Sequence, residues 1–219
     1  MNLTQAKIEK KAADYAKILL IQAVENEPQI TEDLQKIALE VSAEIVGLEH
    51  KFKTQESLSR KLTEESIKSA KFFIDVGYPI NEAVEKAIKR QAKRNNDALR
   101  YTFVFSLEKY VFGFKQTLEI LKQNNFQIPE QKIWNAWKNI GTPFDKGYRG
   151  INMTVISSHG QIFELQFHTS ESYDLKTETH PLYEESRQKE TSLVRKIEIA
   201  EIVIELAEKV KVPKGVKKL

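Results

Sequence analysis

Glu164, Gln166 and His168 alternate with Phe163, Leu165 and Phe167 in the stretch GQIFELQFHT, residues 160–169. In a strand, alternate residues share a face. One face is then apolar, and the other sets a carboxylate, an amide and an imidazole in a row. Asn152 and Thr154 join that row if residues 151–157 are the partner of a hairpin. The row is either the wet outer face of an antiparallel sheet or the lining of a binding site. Lys and Glu are the more usual choices for a merely solvated face.

Four further places could do chemistry. In KFKTQESLSRKL, Lys51 and Lys53 precede a helical pattern on which Ser57, Arg60 and Lys61 lie near one face. Cations beside a helix N-terminus make an anion site, since free N–H groups add to their charge; a solvated basic helix start is the plainer alternative. Asp97, in NNDALRYTF, stands where a loop enters a strand. A carboxylate there can bind Mg²⁺ that keeps water and substrate phosphates, or simply make a turn. In FDKGYRGIN, Tyr148 can stack on a base and Arg149 can fork onto phosphate oxygens, or the segment is a turn with an exposed Tyr. Lys176 and His180 are four residues apart and share a helix face. His168, His180 and Glu164 could together bind a metal, though without the spacing of a known metal motif.

These residues need elements to position them. Helical spacing covers residues 4–25, and the break at ENEPQITED lets Thr31 cap a second helix to about Val46, ended by Gly47. A third helix starts at the N-cap Thr54 and stops at Gly77; residues 80–95 are a charged helix or a connector. ALRYTFVFS is short and rich in aromatic and β-branched residues, which predicts a strand. A helix over LEKYVFGFKQTLEILKQNN, a strand over Lys132–Lys138 and a loop over NIGTPFDKGYRG come next. Two strands then join through Ser157–Gly160 as a hairpin, and helices with an allowed break at Pro181 complete the chain. That order predicts an α/β or α+β fold: a mixed sheet of four or five strands flanked by helices. Residues 1–46 form an N-terminal helical layer, 47–190 a core, and 191–219 a C-terminal helix and basic tail.

The chain has 219 residues, 41% of them hydrophobic, 9% aromatic and 30% charged, with a net charge of +3. That is enough apolar material for one packed domain, and too little charge to argue nucleic-acid binding by itself. The absence of cysteine excludes disulfides, zinc–thiolate sites and a cysteine nucleophile. No apolar run approaches the roughly 18 residues of a membrane span, and no Sec-type signal is present. The expectation is no membrane and a cytoplasmic site of action, in the producing cell or in a target cell.

Taken in order, the five segments resemble the synthetase domain of the RelA/SpoT homologue superfamily over about residues 45–190. KFKTQESLSRKL is similar to the family's Arg-x-Lys-x-x-x-Ser segment, which grips ATP. Asp97 falls at the family's Mg²⁺-binding Asp. KGYRGIN is similar to the Gly-Tyr-x-Ser-Leu-His loop, FELQFHT to the Glu-Ile-Gln-Ile-Arg-Thr strand with its catalytic Glu, and THPLYEESR to the following helix. GYRGIN, FELQFHT and HPLYEESR look closer to toxin-like small members than to housekeeping alarmone synthetases. Departures fall at Lys51, Thr102 and His168, where the family has Arg, and at Asn152, where it has His.

The resemblance implies a nucleotidyltransferase-like fold and a Mg²⁺-dependent pyrophosphokinase. Pyrophosphate passes from ATP to the 3′-hydroxyl of a purine nucleotide, giving a ppGpp- or ppApp-type alarmone, in a growth-inhibiting toxin. Asp97 and Glu164 are the implied metal and catalytic carboxylates. Lys51, Lys53, Ser57, Arg60, Lys61 and Arg100 are implied at ATP. Tyr148, Arg149, Asn152, Gln166, His168, Lys176 and His180 are implied at the acceptor. The alternatives are pyrophosphorylation of the tRNA 3′ end, a catalytically idle nucleotide-binding module and, more distantly, ADP-ribosyl transfer. The partners expected are nucleotides, tRNA in the alternative, and a neutralising antitoxin or immunity protein.

Overall fold

The structure is a computed structural model that describes residues 3–188 and 190–219. Met1 and Asn2 of the expected N-terminal layer, and Lys189 of the expected core, lie outside the described residues. In chain order the elements are α1 Leu3–Val41, β1 Glu44–Val46, α2 Gln55–Asp75, α3 Ile80–Arg94, β2 Arg100–Phe105, α4 Tyr110–Gln123, β3 Ile133–Asn135, α5 Pro143–Lys146, β4 Ile151–Ile156, β5 Ile162–Thr169, α6 Ser170–Ser186 and α7 Leu193–Glu208. Among the described residues the strands form one five-stranded mixed sheet in the order β1-β2-β5-β4-β3. The α+β architecture is therefore as the sequence predicts. No described helix is long and apolar enough to cross a membrane.

The N-terminal helix corrects one expectation. Two helices with a break around Pro28 are in fact a single helix, and Pro28 lies inside it. Proline removes one intrahelical N–H bond, but the apolar stripe does not stop there. Ala16, Ala23, Ile30 and Ile37 are all buried, and they recur every seven residues across Pro28. The helix ends at Val41, not Val46. Ser42 takes the left-handed conformation at φ 57, and the amide of Ala43 donates to Ala38 O at 2.8 Å. The residues freed, Glu44–Val46, pair antiparallel with Val104–Thr102 as an edge strand.

Other expectations hold with adjusted bounds. Thr54 caps α2 by accepting from the Ser57 amide, and Gly77 follows the helix at φ 96. The ambiguous residues 80–95 are helical. The hairpin turn is closed by the Ser157 amide on Gln161 O at 2.9 Å, with Gly160 at φ 83. The strand expected over Lys132–Lys138 spans only Ile133–Asn135, and a 3₁₀ turn, Ala136–Lys138, follows it. Pro181 lies within a continuous α6.

The chain forms two compact units. One comprises the chain up to Asp33, Gly47–Arg100 and Val155–Glu164; the other comprises Leu34–Val46, Tyr101–Thr154 and Leu165–Leu219. In the first, Ile8, Ala70, Val84 and Ala87 pack together with Phe73. In the second, aromatic rings carry the core. Phe167 meets Phe103 and Phe114 edge-on and stacks on Phe105. Tyr110 donates to Phe167 O at 2.8 Å and accepts from Trp137 Nε1 at 3.0 Å, so its buried hydroxyl is satisfied.

Gly113 lets α4 close on β2. A Cβ there would lie 2.2 Å from Phe105 Cε1. Phe105 is itself held between Tyr110 and Phe167, so its ring has nowhere to go. Gly113→Ala is expected to lower unfolding stability by about 1–3 kcal/mol in urea titration, despite alanine's better helix propensity. Unchanged or increased stability would show that the α4–β2 packing relaxes.

Candidate active site

In the first unit a short antiparallel pairing brings the basic segment to the acidic one. The Lys53 amide donates to Ala98 O at 3.1 Å and the Arg100 amide to Lys51 O at 2.8 Å, on either side of a Phe52–Leu99 bridge. This sets Lys53 Nζ 2.5 Å from Asp97 Oδ2. Lys61, on the second turn of α2, reaches the same oxygen at 3.0 Å. Asn95 Nδ2 donates to the other carboxylate oxygen at 2.8 Å, and Asn95 Oδ1 accepts from the Ala98 amide at 3.2 Å. The cap at Thr54 fixes where α2 starts and hence which helix turn faces Asp97.

Asp97 and Asn95 are buried and the two lysines half-buried, so the cluster is strongly polarised. Burial alone would raise the Asp97 pKa, but Lys61 and Lys53 outweigh it and hold the carboxyl at about 2. For Lys53 burial dominates, and its pKa falls despite Asp97. For Lys61 burial is the largest single effect, but Asp97, Glu65 and Glu164 together raise the pKa above the ordinary value. Glu164 is therefore within electrostatic reach of the same ammonium that binds Asp97.

In the second unit the hydroxyl of Tyr148 is the node. It donates to Asn152 Oδ1 at 2.7 Å and contacts His168 Nε2 at 2.8 Å. On the other side of the ring, His168 Nδ1 lies 3.0 Å from Ser172 Oγ. Ser172 closes a capping box with Thr169 at the start of α6. His168 is fully buried. Burial, then the Lys176 charge, pushes its pKa well below the usual histidine value, so the ring is neutral. Gln166 Oε1 accepts from Lys176 Nζ at 2.6 Å and from Thr102 Oγ1 at 3.3 Å. The polar row is thus mostly enclosed: Thr154, Gln166 and His168 are buried, and Asn152 and Glu164 half-buried. It is not a wet outer face.

Other expected residues make different contacts. Lys51 is 2.8 Å from Glu27, not at Asp97. Arg100 Nη2 is turned to His50 O at 3.4 Å. Ser57 and Arg60 are half-buried on α2. Arg149 does not face a ligand: its buried guanidinium donates to Ala207 O at 3.1 Å, Lys146 O at 2.6 Å and Tyr148 O at 3.0 Å. It ties the end of α7 to the loop, in the place where a phosphate was expected. His180 is exposed beside Tyr183. The conceivable His168–His180–Glu164 metal site does not form; among the described residues no three His, Asp or Glu side chains converge on a metal position. Sequence reasoning missed Trp134, which stacks on Tyr148 with centroids 5.4 Å apart and planes at 16°. The signal was present in Ile133-Trp134-Asn135, where strand parity puts Trp134 on the face of its partner Asn152.

The depressed Asp97 pKa fixes a pH window. A carboxyl that is ionised more easily when folded stabilises the protein above the unfolded pKa of about 3.9, and that stabilisation fades as pH falls toward 2. It amounts to about 2 kcal/mol. Melting temperature measured from pH 6 to pH 2 is expected to fall more steeply in the native protein than in Asp97→Asn, with the two curves converging near pH 2. Parallel curves would remove the Asp97 ion cluster from the stability of the fold.

No protein-family model matches the sequence, and no curated protein matches it. Solved structures do. Small alarmone synthetase 2 from Bacillus subtilis aligns with a TM-score of 0.51 at 16% identity, covering 90% of this chain and 95% of its own. A GTP pyrophosphokinase family protein from Streptococcus pneumoniae aligns with a TM-score of 0.52 at 16% identity, covering 95% and 92%. Small alarmone synthetase 1 from Bacillus subtilis aligns with a TM-score of 0.51 at 16% identity, covering 88% and 90%. The chain therefore has the fold of the small alarmone synthetases, as the motif order implied.

Proposed function

We propose that the protein is a pyrophosphokinase that transfers pyrophosphate from ATP to the 3′-hydroxyl of a purine nucleotide. The observation that carries this is the cluster in which Lys53 and Lys61 share one oxygen of the buried Asp97 while Glu164 acts on Lys61. Partly buried ammonium groups held on one carboxylate oxygen are suited to a polyphosphate, whose oxygens can take over their charge and hydrogen bonds. The likeness in fold to pyrophosphokinases and alarmone synthetases supports the same reading.

In this mechanism Lys53 and Lys61 bind phosphate oxygens of ATP, with Arg60 and Arg100 at the nucleotide's periphery. The acceptor's 3′ oxygen bonds to the β-phosphorus, the bond from that phosphorus to the α-phosphate's bridging oxygen breaks, and AMP leaves. Glu164 accepts the proton of the attacking hydroxyl. Asp97 and Glu164 suit Mg²⁺, which draws one or two carboxylates from a protein when phosphates and water complete its shell. When bound, it neutralises polyphosphate charge. On the acceptor side, Gln166 and Lys176 offer polar contacts, and the Tyr148–Asn152–His168 node holds the loop that precedes β4. Continuous turnover would consume ATP and slow growth, which is the toxin-like role implied by the motifs.

The test is incubation with labelled ATP and Mg²⁺ in the presence of GDP, GTP, ADP, ATP or tRNA. Labelled AMP and a 3′-pyrophosphorylated purine nucleotide are expected. Product on tRNA alone would move the acceptor to the tRNA 3′ end; binding without any product would leave a nucleotide-binding module. Glu164→Gln is expected to lose about a thousandfold in kcat with an unchanged circular dichroism spectrum. Retained turnover would take Glu164 out of the proton transfer.

A further inference from the structure

Tyr148 was assigned to stack on the acceptor base, but its ring is already engaged. One face is covered by Trp134 in a near-parallel stack, with centroids 5.4 Å apart. The His168 ring packs against the Tyr148 ring nearly perpendicular, with centroids 5.3 Å apart and planes at 82°. Its hydroxyl is tied to both Asn152 and His168. Gly150 allows this crowding, since a Cβ there would lie 2.9 Å from His168 Cε1 and 3.1 Å from Tyr148 Cε1. A base could take the place of Trp134 only by breaking this stack.

Trp134 has the opposite character. It lies on the edge strand β3, opposite Asn152 in the register, so it belongs to the polar face of the sheet. It is 39% exposed, whereas Trp137, three residues on, is only 2% exposed with its Nε1 committed to Tyr110. An indole backed by a phenol ring, itself pinned at its hydroxyl, is a rigid platform with little left to lose on binding.

We infer that Trp134, not Tyr148, is the surface on which the acceptor's purine ring stacks. Tyr148 is a positioning residue that sets the indole plane through the stack and the loop through Asn152 and His168. The ligand class is a purine nucleotide, whose fused ring overlaps an indole more fully than a pyrimidine does. This inference rests on the proposed pyrophosphate transfer for the identity of the ligand, and on the geometry for the residue.

The experiment titrates the full chain with ADP, GDP and CDP in the absence of a donor, following tryptophan emission and, independently, calorimetric heat. Native protein is expected to show saturable quenching by purine nucleotides and tighter binding of ADP than of CDP. Trp134→Leu is expected to abolish the quenching, because buried Trp137 does not meet the ligand. It should weaken purine binding about tenfold and narrow the preference for ADP over CDP. In the labelled-ATP assay the same variant should raise the acceptor KM by a similar factor, with kcat and the KM for ATP changed less than twofold. Trp134→Phe, which keeps a stacking ring, should recover most of the affinity. Trp134→Leu that binds and discriminates like the native protein would overturn the inference while leaving pyrophosphate transfer intact. Native protein that binds no purine nucleotide and releases no AMP would overturn both.

Discussion

A strand has two faces, and β5 spends one of them on the core. Phe163, Leu165 and Phe167 are fully buried, and at about 25 cal/mol per Å² of apolar surface those three side chains fix the register of the strand. A slip by one residue would put Glu164, Gln166 and His168 into the hydrocarbon and the three apolar groups opposite. The position of every polar residue on β5 is thus a consequence of apolar burial on its other side. Glu164 falls in the first unit, near Lys61; Gln166 and His168 fall in the second, where Lys176, Thr102, Ser172 and Tyr148 meet them.

The Asp97 cluster makes a second kind of sense. Two partly buried ammonium groups meet one carboxylate oxygen, and for Lys53 the desolvation is not repaid in full, while for Lys61 the surrounding carboxylates more than offset it. The lowered Lys53 pKa is the local sign of that deficit. A fold selected for stability alone gains little from such an arrangement, because well-packed apolar groups do as well or better. In the proposed reaction a polyphosphate would supply the negative charge that Lys53 lacks. Both lysines are partly buried and already aimed by α2 and by the Phe52–Leu99 pairing, so in the proposed reaction binding would not have to order them.

The sequence made the alternating strands, the hairpin, the Thr54 cap and the order of the chemical segments readable, since each depends on local spacing or on one residue's conformational preference. It misled where distant packing overrode a local rule. Pro28 argued for a break, yet the seven-residue apolar stripe around it is buried on both sides and carries the helix through. Arg149 carried the right charge for a phosphate, but nothing local revealed that three backbone carbonyls, one of them at the end of α7, would take its guanidinium. Trp134 was hidden in a strand of only three residues, too short for alternation to announce itself.

The departures at Asn152 and His168 are best understood together. Both residues depart from the motifs that their segments resemble, and both side chains bind the same Tyr148 hydroxyl. Position 168 is fully enclosed, and Gly150 leaves no spare room beside it. A guanidinium there would be a buried cation near Lys176 with no carboxylate among the partners that His168 has. A neutral imidazole, kept uncharged by burial and by Lys176, fills the same space with polar contacts to Tyr148 and Ser172. His168 is thus a neutral structural anchor for the tyrosine. In the proposed reaction it leaves Lys176, already oriented by Gln166, as the cation on the acceptor side of the second unit.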